Sequence, residues 1–230
     1  MTAFSAPSSF IKFSRRAGIV ATAVAVNGAV YLAINNRQPP DSVVVTPSTL
    51  DSALGLHAWT IWPYWLLLAL APAMALSIRD RRIFVATMRS YVVALALNVA
   101  LWLAIPTRLP RAALPDGLDA ATAAAWRLLL ALDAPGNCFP SGHVTLPIVI
   151  AAGFATQYPR LAPFAWFAIA ALVPTVITTG QHVAIDILGG IATALIGLVL
   201  TRHPFLRRGG VDAALLANQR NATDARPQAP

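Results

Sequence analysis

The run Asn137-Cys138-Phe139-Pro140-Ser141-Gly142-His143, followed about forty residues later by His182 and Asp186, holds the side chains of this sequence best suited to chemistry. Two of the four histidines and one of the nine acidic residues thus stand at the ends of apolar stretches, where an ionisable side chain is costly and tends to be functional. Pro140-Ser141-Gly142 at a helix start suits an anion: the first amides and the positive dipole end face it, Gly lets the backbone approach and the Ser hydroxyl donates. The plainer alternative is that Ser141 caps a helix. His182 and Asp186, at i and i+4, stand about 40° apart around a helix of 3.6 residues per turn. A buried carboxylate there holds one imidazole nitrogen and leaves the other free as nucleophile or base. Together these residues predict phosphate chemistry at a membrane.

The elements that must position them are membrane helices. Of 230 residues, 57% are hydrophobic and 11% charged, with a mean hydropathy of +0.63, too apolar for a soluble domain. Six apolar runs, 17–35, 61–78, 89–105, 142–157, 162–179 and 182–201, approach the roughly 20 residues that cross a 30 Å hydrocarbon layer. The fourth is short, and is read as starting inside a catalytic cavity. The expected fold is all-α: a polytopic six-helix bundle over 17–208, with a cytoplasmic segment 1–16 and a disordered cytoplasmic tail 209–230.

The net charge of +8 raises a nucleic-acid reading, which the placement of the charges removes. With a cytoplasmic N-terminus, thirteen of the seventeen Lys and Arg fall inside, and only Arg37, Arg108, Arg111 and Arg127 outside. No nucleic-acid partner is needed. The ends of spans three, four and six then meet on the extracytoplasmic face of the inner membrane, with Arg108, Arg111, Ser141, His143 and His182 together. Small residues at Ala21 and Ala23 leave a cleaved signal peptide as an alternative for the first run, although it continues to Ile34 at spanning length.

Between the spans, Trp59, Trp62, Tyr64 and Trp65 read as an interfacial aromatic belt, with a lipid access route as the alternative. A helix over 119–132 carries Trp126, Leu129 and Leu130 on one face, with Arg127 and Asp133 able to snorkel. It is expected to lie in the outer interface, as packing or as a lid. The single cysteine, Cys138, excludes an internal disulfide and reads as a small apolar filler. Asn221-Ala-Thr223 matches a glycosylation sequon on the cytoplasmic side.

Over about residues 100–200 the chain resembles the type 2 phosphatidic acid phosphatase superfamily, whose second motif contains Pro-Ser-Gly-His and whose third contains His-x-x-x-Asp. The resemblance makes His182 the nucleophile that becomes a phosphohistidine, Asp186 its orienting partner, and His143 the acid and then the base. It makes Ser141 and Gly142 binders of the phosphoryl oxygens. Two departures stand out: Thr175 and Val176 occupy the places of the usual Ser-Arg, and no Lys-x6-Arg-Pro first motif is present. Pro106-Thr107-Arg108-Leu109-Pro110-Arg111 looks more like the first motif of the branch that includes inositol phosphorylceramide synthases, so Arg111 or Arg108 is expected to supply the guanidinium.

The expected activity is hydrolysis of a membrane lipid phosphate monoester, with no cofactor and no metal, by a protein whose partners are its lipid substrate and the bilayer. The alternatives are a head-group phosphotransferase acting on a phospholipid, a metal site built from the two histidines and the carboxylate, and a non-catalytic lipid-binding or transport protein.

Overall fold

A computed structural model of the chain describes residues 11–206 apart from 38, 112, 115 and 116. Most of segment 1–16, the tail 209–230 and Asn221 lie outside the described residues. What is described is helical, built from α1 (Phe13–Asn35), α2 (Thr49–Leu54), α3 (Ile61–Ser77), α4 (Arg81–Ala104), α5 (Ala120–Leu132), α6 (Gly142–Gln157), α7 (Ala162–Leu172), α8 (Thr175–Thr178) and α9 (Ala184–Leu200).

The apolar runs become helices near the expected boundaries. Four helical stretches are long and apolar enough to cross a membrane: Phe13–Asn35, Ala58–Ser77, Arg81–Ala104 and Pro159–Thr178. Ala120–Leu132 and Ala184–Leu200 are shorter apolar helices, and α6 has 16 residues. The chain is a membrane protein by these helices, and its outer surface carries large side chains such as Phe164, Phe167, Leu188 and Val199.

α6 is apolar on all sides and is the central helix, packed by α3, α4, α7 and α9, as expected of a helix with no polar face. α9 buries one stripe, Asp186, Gly190, Thr193, Ala194, Gly197 and Leu198, and leaves the other side outward. Gly190 is needed for this approach, because a Cβ there would stand 2.7 Å from the Ser141 carbonyl oxygen; at Gly189 it would collide with the Phe139 ring. α1 leans on α3 and α4, where the Arg16 Nη1 donates to the carbonyls of Leu76 and Ile78 and caps the end of α3.

Three features differ from the sequence reading. A two-stranded parallel sheet, β1 (Val43–Val44) on β2 (Thr107–Arg108), ties the loop that follows α1 to the segment after α4. A two-residue strand is below what periodicity registers. α2 is a short helix with a capping box between Ser48 and Asp51 in the same loop. Asp133, read as snorkelling, is 5% exposed: its Oδ1 accepts from Tyr31 Oη and Asn35 Nδ2 and lies 3.4 Å from Arg111 Nη2. Buried donors from two other segments outcompete water for it, which helix periodicity alone does not reveal. α5 itself forms as expected, with Trp126 and Leu129 buried and Trp126 Nε1 donating to the Ala58 carbonyl.

Candidate active site

Residues distant in sequence are joined here by backbone bonds. The Ser141 amide donates to the Asp186 carbonyl at 3.0 Å, placing the first turn of α6 on the first turn of α9. Trp102 Nε1 donates to the Pro140 carbonyl, and the Phe139 amide to Thr107 Oγ1, so the end of α4 and β2 hold the same loop. The Phe139–Pro140 peptide is cis. Thr145, one turn into α6, bonds the Ser141 and Gly190 carbonyls and Thr193 Oγ1, joining α6 to α9.

His182 and Asp186 pair, but not as two residues of one helix. α9 begins at Ala184 with Val183 extended at its N-cap, so His182 precedes the helix and Asp186 reaches back from its third position. Its Oδ2 accepts from the Val183 amide at 3.0 Å and lies 3.3 Å from His182 Nδ1. His182 Nε2 is 3.0 Å from His143 Nδ1, and His143 Nε2 is 3.1 Å from Tyr64 Oη. The four side chains form one chain of hydrogen bonds.

Its protons follow from one end. A carboxylate only accepts, so His182 Nδ1 carries the hydrogen and Nε2 the lone pair. His143 Nδ1 must then donate to that lone pair. The arrangement leaves a lone pair on the His182 nitrogen most remote from Asp186, with the second imidazole against it.

The remaining expected residues divide. Ser141 is fully buried at the N-cap of α6 but makes no capping bond, and its Oγ has no partner, so the plainer reading as a cap is not what forms. Gly142 lies beside the Trp102 ring, where a Cβ would stand 3.3 Å away. Arg111 comes to the segment that carries His182: its Nη1 donates to the Gly180 and Gln181 carbonyls and its Nη2 to Ala134. Arg108 is exposed on β2, and its side chain makes no hydrogen bond or ion pair among the described residues. Val176, where the resemblance has an arginine, is fully buried in α8, and its carbonyl accepts from the Gln181 and His182 amides. Cys138 is fully buried; burial first, and then the charge of Asp186, pushes its thiol up to about 12, so it is an unreactive filler.

Sequence reasoning did not single out Tyr64, Tyr31, Trp102, Thr145 or Asp51 as parts of this region. Asp51 Oδ1 accepts from the Ala184 amide at 2.7 Å, fastening α2 to the start of α9. Burial alone raises its carboxyl, but the bonds from Ser48 and Ala184 outweigh this and leave it below the usual value. Gly189-Gly190, one turn after Asp186, is a small-residue signal for close helix packing. Tyr64 had no such signal, being one aromatic among four; Trp59 and Trp62 point outward, whereas Tyr64 is 1% exposed.

An apolar cavity of about 430 Å³ lies between α1, α3, α4, α5 and α6, walled by residues such as Val24, Leu68, Met88, Leu129 and Ile150. At its polar end stand Tyr31, Tyr64, Asp133 and His143. His182 does not line it. Around this end lie most of the buried polar atoms without partners: Asn35 Oδ1, Arg111 Nε, Asp133 Oδ2, Ser141 Oγ, Gln181 Oε1 and Asp186 Oδ1. Such a cluster marks a place where a ligand or water belongs. Among the described residues no group of three His, Cys, Asp or Glu side chains is arranged to hold a metal ion.

Compared with known proteins, the chain matches a family model described as PAP2 superfamily over residues 48–200, which takes in α2 to α9 and every residue of the histidine chain. No curated protein matches it.

Proposed function

The chain belongs to the PAP2 superfamily, and from that premise we propose that it is a membrane lipid phosphatase that hydrolyses a lipid phosphate monoester through a phosphohistidine on His182. Phosphatase-type activity on lipid-like substrates is what the family implies. The finer reading rests on one observation: the apolar cavity ends at His143 and not at His182. A lipid chain held there brings its ester oxygen to the histidine that must protonate it, with phosphorus toward the nucleophile behind.

In the first step the His182 Nε2 lone pair forms the N–P bond and the P–O bond to the lipid breaks. Its electron pair takes the Nδ1 proton of a His143 that has gained a second proton at Nε2 from the bound phosphate monoanion, which leaves that ring neutral and releases the lipid alcohol. In the second step water attacks phosphorus and gives its proton to the now bare His143 Nδ1. The N–P electrons return to His182, and inorganic phosphate leaves. Asp186 holds the His182 Nδ1 hydrogen and stabilises the charge the ring acquires. The Ser141 hydroxyl and the first amides of α6 are the donors for the phosphoryl oxygens, with Gly142 permitting the approach. The imidazoles, 3.0 Å apart, must part to admit phosphorus. Arg111 joins the phosphate by exchanging a carbonyl for it, and Arg108 by turning inward.

The proposal includes six spans, cytoplasmic termini and an extracytoplasmic site in the inner membrane. At 1.5 Å per residue, α6 and α9 are about 24 and 26 Å long, and the loops that open at the site make up the thickness. Alkaline phosphatase fused after Arg111 should be active and fused after Arg208 inactive; the reverse pattern overturns the sidedness.

Phosphoryl transfer to a lipid hydroxyl is the second reading, favoured by the apolar walls of the cavity, to which the α5 residues Leu129 and Leu132 contribute and which suit a second lipid better than water. Labelled phosphatidic acid, offered with and without diacylglycerol, ceramide or polyprenol, decides between the two. Free phosphate without acceptor supports hydrolysis, and product formed only with acceptor supports transfer. Lipid binding with no turnover, unchanged in His182→Ala, defeats both.

A further inference from the structure

We infer that Tyr64 is a positioning residue that sets the proton on His143 during the reaction. This rests on the histidine mechanism just proposed. His143 meets three rings: Tyr64 at 5.5 Å between centroids, Tyr31 at 5.9 Å and His182 at 5.2 Å. Among the described residues only Tyr64 bonds its Nε2; the Tyr31 hydroxyl is committed to Asp133.

The His143 ring passes through three forms in one turnover. At rest, with neutral rings, Nδ1–H faces His182 and Nε2 is bare. As the acid it carries hydrogens on both nitrogens, the second taken up at Nε2 from the phosphate monoanion as the lipid binds; after protonating the lipid oxygen it keeps Nε2–H and presents a bare Nδ1 to water, and the Nε2 proton leaves with the phosphate product. The atom at Nε2 must therefore accept a donor in one form and donate to it in another. A phenol hydroxyl does both by rotating, which an amide N–H or a carbonyl oxygen cannot. Tyr64 is 1% exposed on α3 and no other hydrogen bond of its hydroxyl competes among the described residues, so the hydroxyl is free to reverse.

Other groups facing His143 cannot take this part. His182, from the segment before α9, is held at Nδ1 by Asp186 and meets the other His143 nitrogen. Asp133, at the end of α5, and Arg111, after β2, act on the ring only through their opposing charges and are paired with each other. Trp102 of α4 donates to the Pro140 carbonyl and carries no charge.

Removing the hydroxyl leaves Nε2–H without a partner in an apolar wall, which disfavours the imidazolium form that must act as acid. In Tyr64→Phe the alkaline limb of kcat should therefore move about one to two pH units lower. At neutral pH kcat should fall roughly ten- to hundred-fold, with KM for phosphatidic acid nearly unchanged because the ring still walls the cavity. The test is the full-length protein in detergent micelles with dioleoyl phosphatidic acid, measured across pH 5–9. Replacement of Tyr64 by a fluorotyrosine, which keeps the shape and weakens the oxygen as an acceptor, should move the limb the same way by less. An unmoved limb in both proteins overturns the inference, as does a loss confined to KM. Absence of phosphohistidine in the wild-type protein while it turns over the lipid defeats the mechanism itself, an outcome visible without any Tyr64 variant.

Discussion

Two histidines lie in this membrane bundle with little or no surface, and they stand at opposite ends of α9. His203 follows that helix, fully buried. Its Nδ1 accepts from the Phe205 amide at 3.1 Å and its Nε2 bonds Thr87 Oγ1 at 3.2 Å, beside a Ser90–Thr201 hydroxyl pair. Burial pushes it down to about 4, so it stays neutral. His182, before the same helix, has one nitrogen on a carboxylate and the other against a second imidazole, which itself lines the apolar cavity, with orphaned polar atoms nearby. Burial of a histidine is common to both. Function is indicated by what is left unsatisfied around it: His203 closes a helix end, while the His182 region awaits a partner.

The comparison breaks most directly on activity. His182→Ala should abolish phosphoenzyme formation, and Asp186→Asn should lower kcat by about 10⁴-fold if it disturbs tautomer and charge as in other triads. His203→Gln should leave kcat within a few-fold and instead lower thermal stability in detergent by about 1–3 kcal/mol, through the partners it strands. A His203 variant with lost turnover and intact melting would erase the distinction.

A glycine pair sharpens it. Gly190→Ala pushes against the Ser141 carbonyl oxygen and should separate the two site segments, lowering kcat roughly hundred-fold. Gly153→Ala meets Thr87, at the His203 end, and should lower the melting temperature with kcat per folded molecule retained. Equal effects of both on turnover would mean that the bundle transmits strain too freely for the ends to be separable.

The smallest effect belongs to Asp51, which supports the site from outside. Its folded value lies below that of a free aspartate, so its stabilisation is complete above about pH 4 and is lost as pH falls through the lower, folded value. Asp51→Asn should cost about 1 kcal/mol at neutral pH and flatten the acid side of the stability curve. An unchanged melting curve from pH 3 to 7 in that variant would remove Asp51 from the frame of the site.

By itself the sequence determined the helices, the family, and which ionisable residues stand out in the apolar runs. Six apolar runs became helices because hydrophobicity over about 20 residues is a local, additive property. Pro-Ser-Gly-His and His-x-x-x-Asp were legible because ionisable groups are rare in such runs. Only the tertiary structure decided how those groups meet. His182 lies outside α9, so its pairing with Asp186 is a helix-start geometry that spacing alone misassigned. Tyr64 differs from Trp62 only in which way α3 turns, Asp133 becomes buried through donors on α1 and Arg111, and Val176 fills with an aliphatic side chain the position where a cation was sought. These outcomes depend on contacts between segments tens of residues apart, and a linear sequence reports the tendency of each segment but not which partner it will meet.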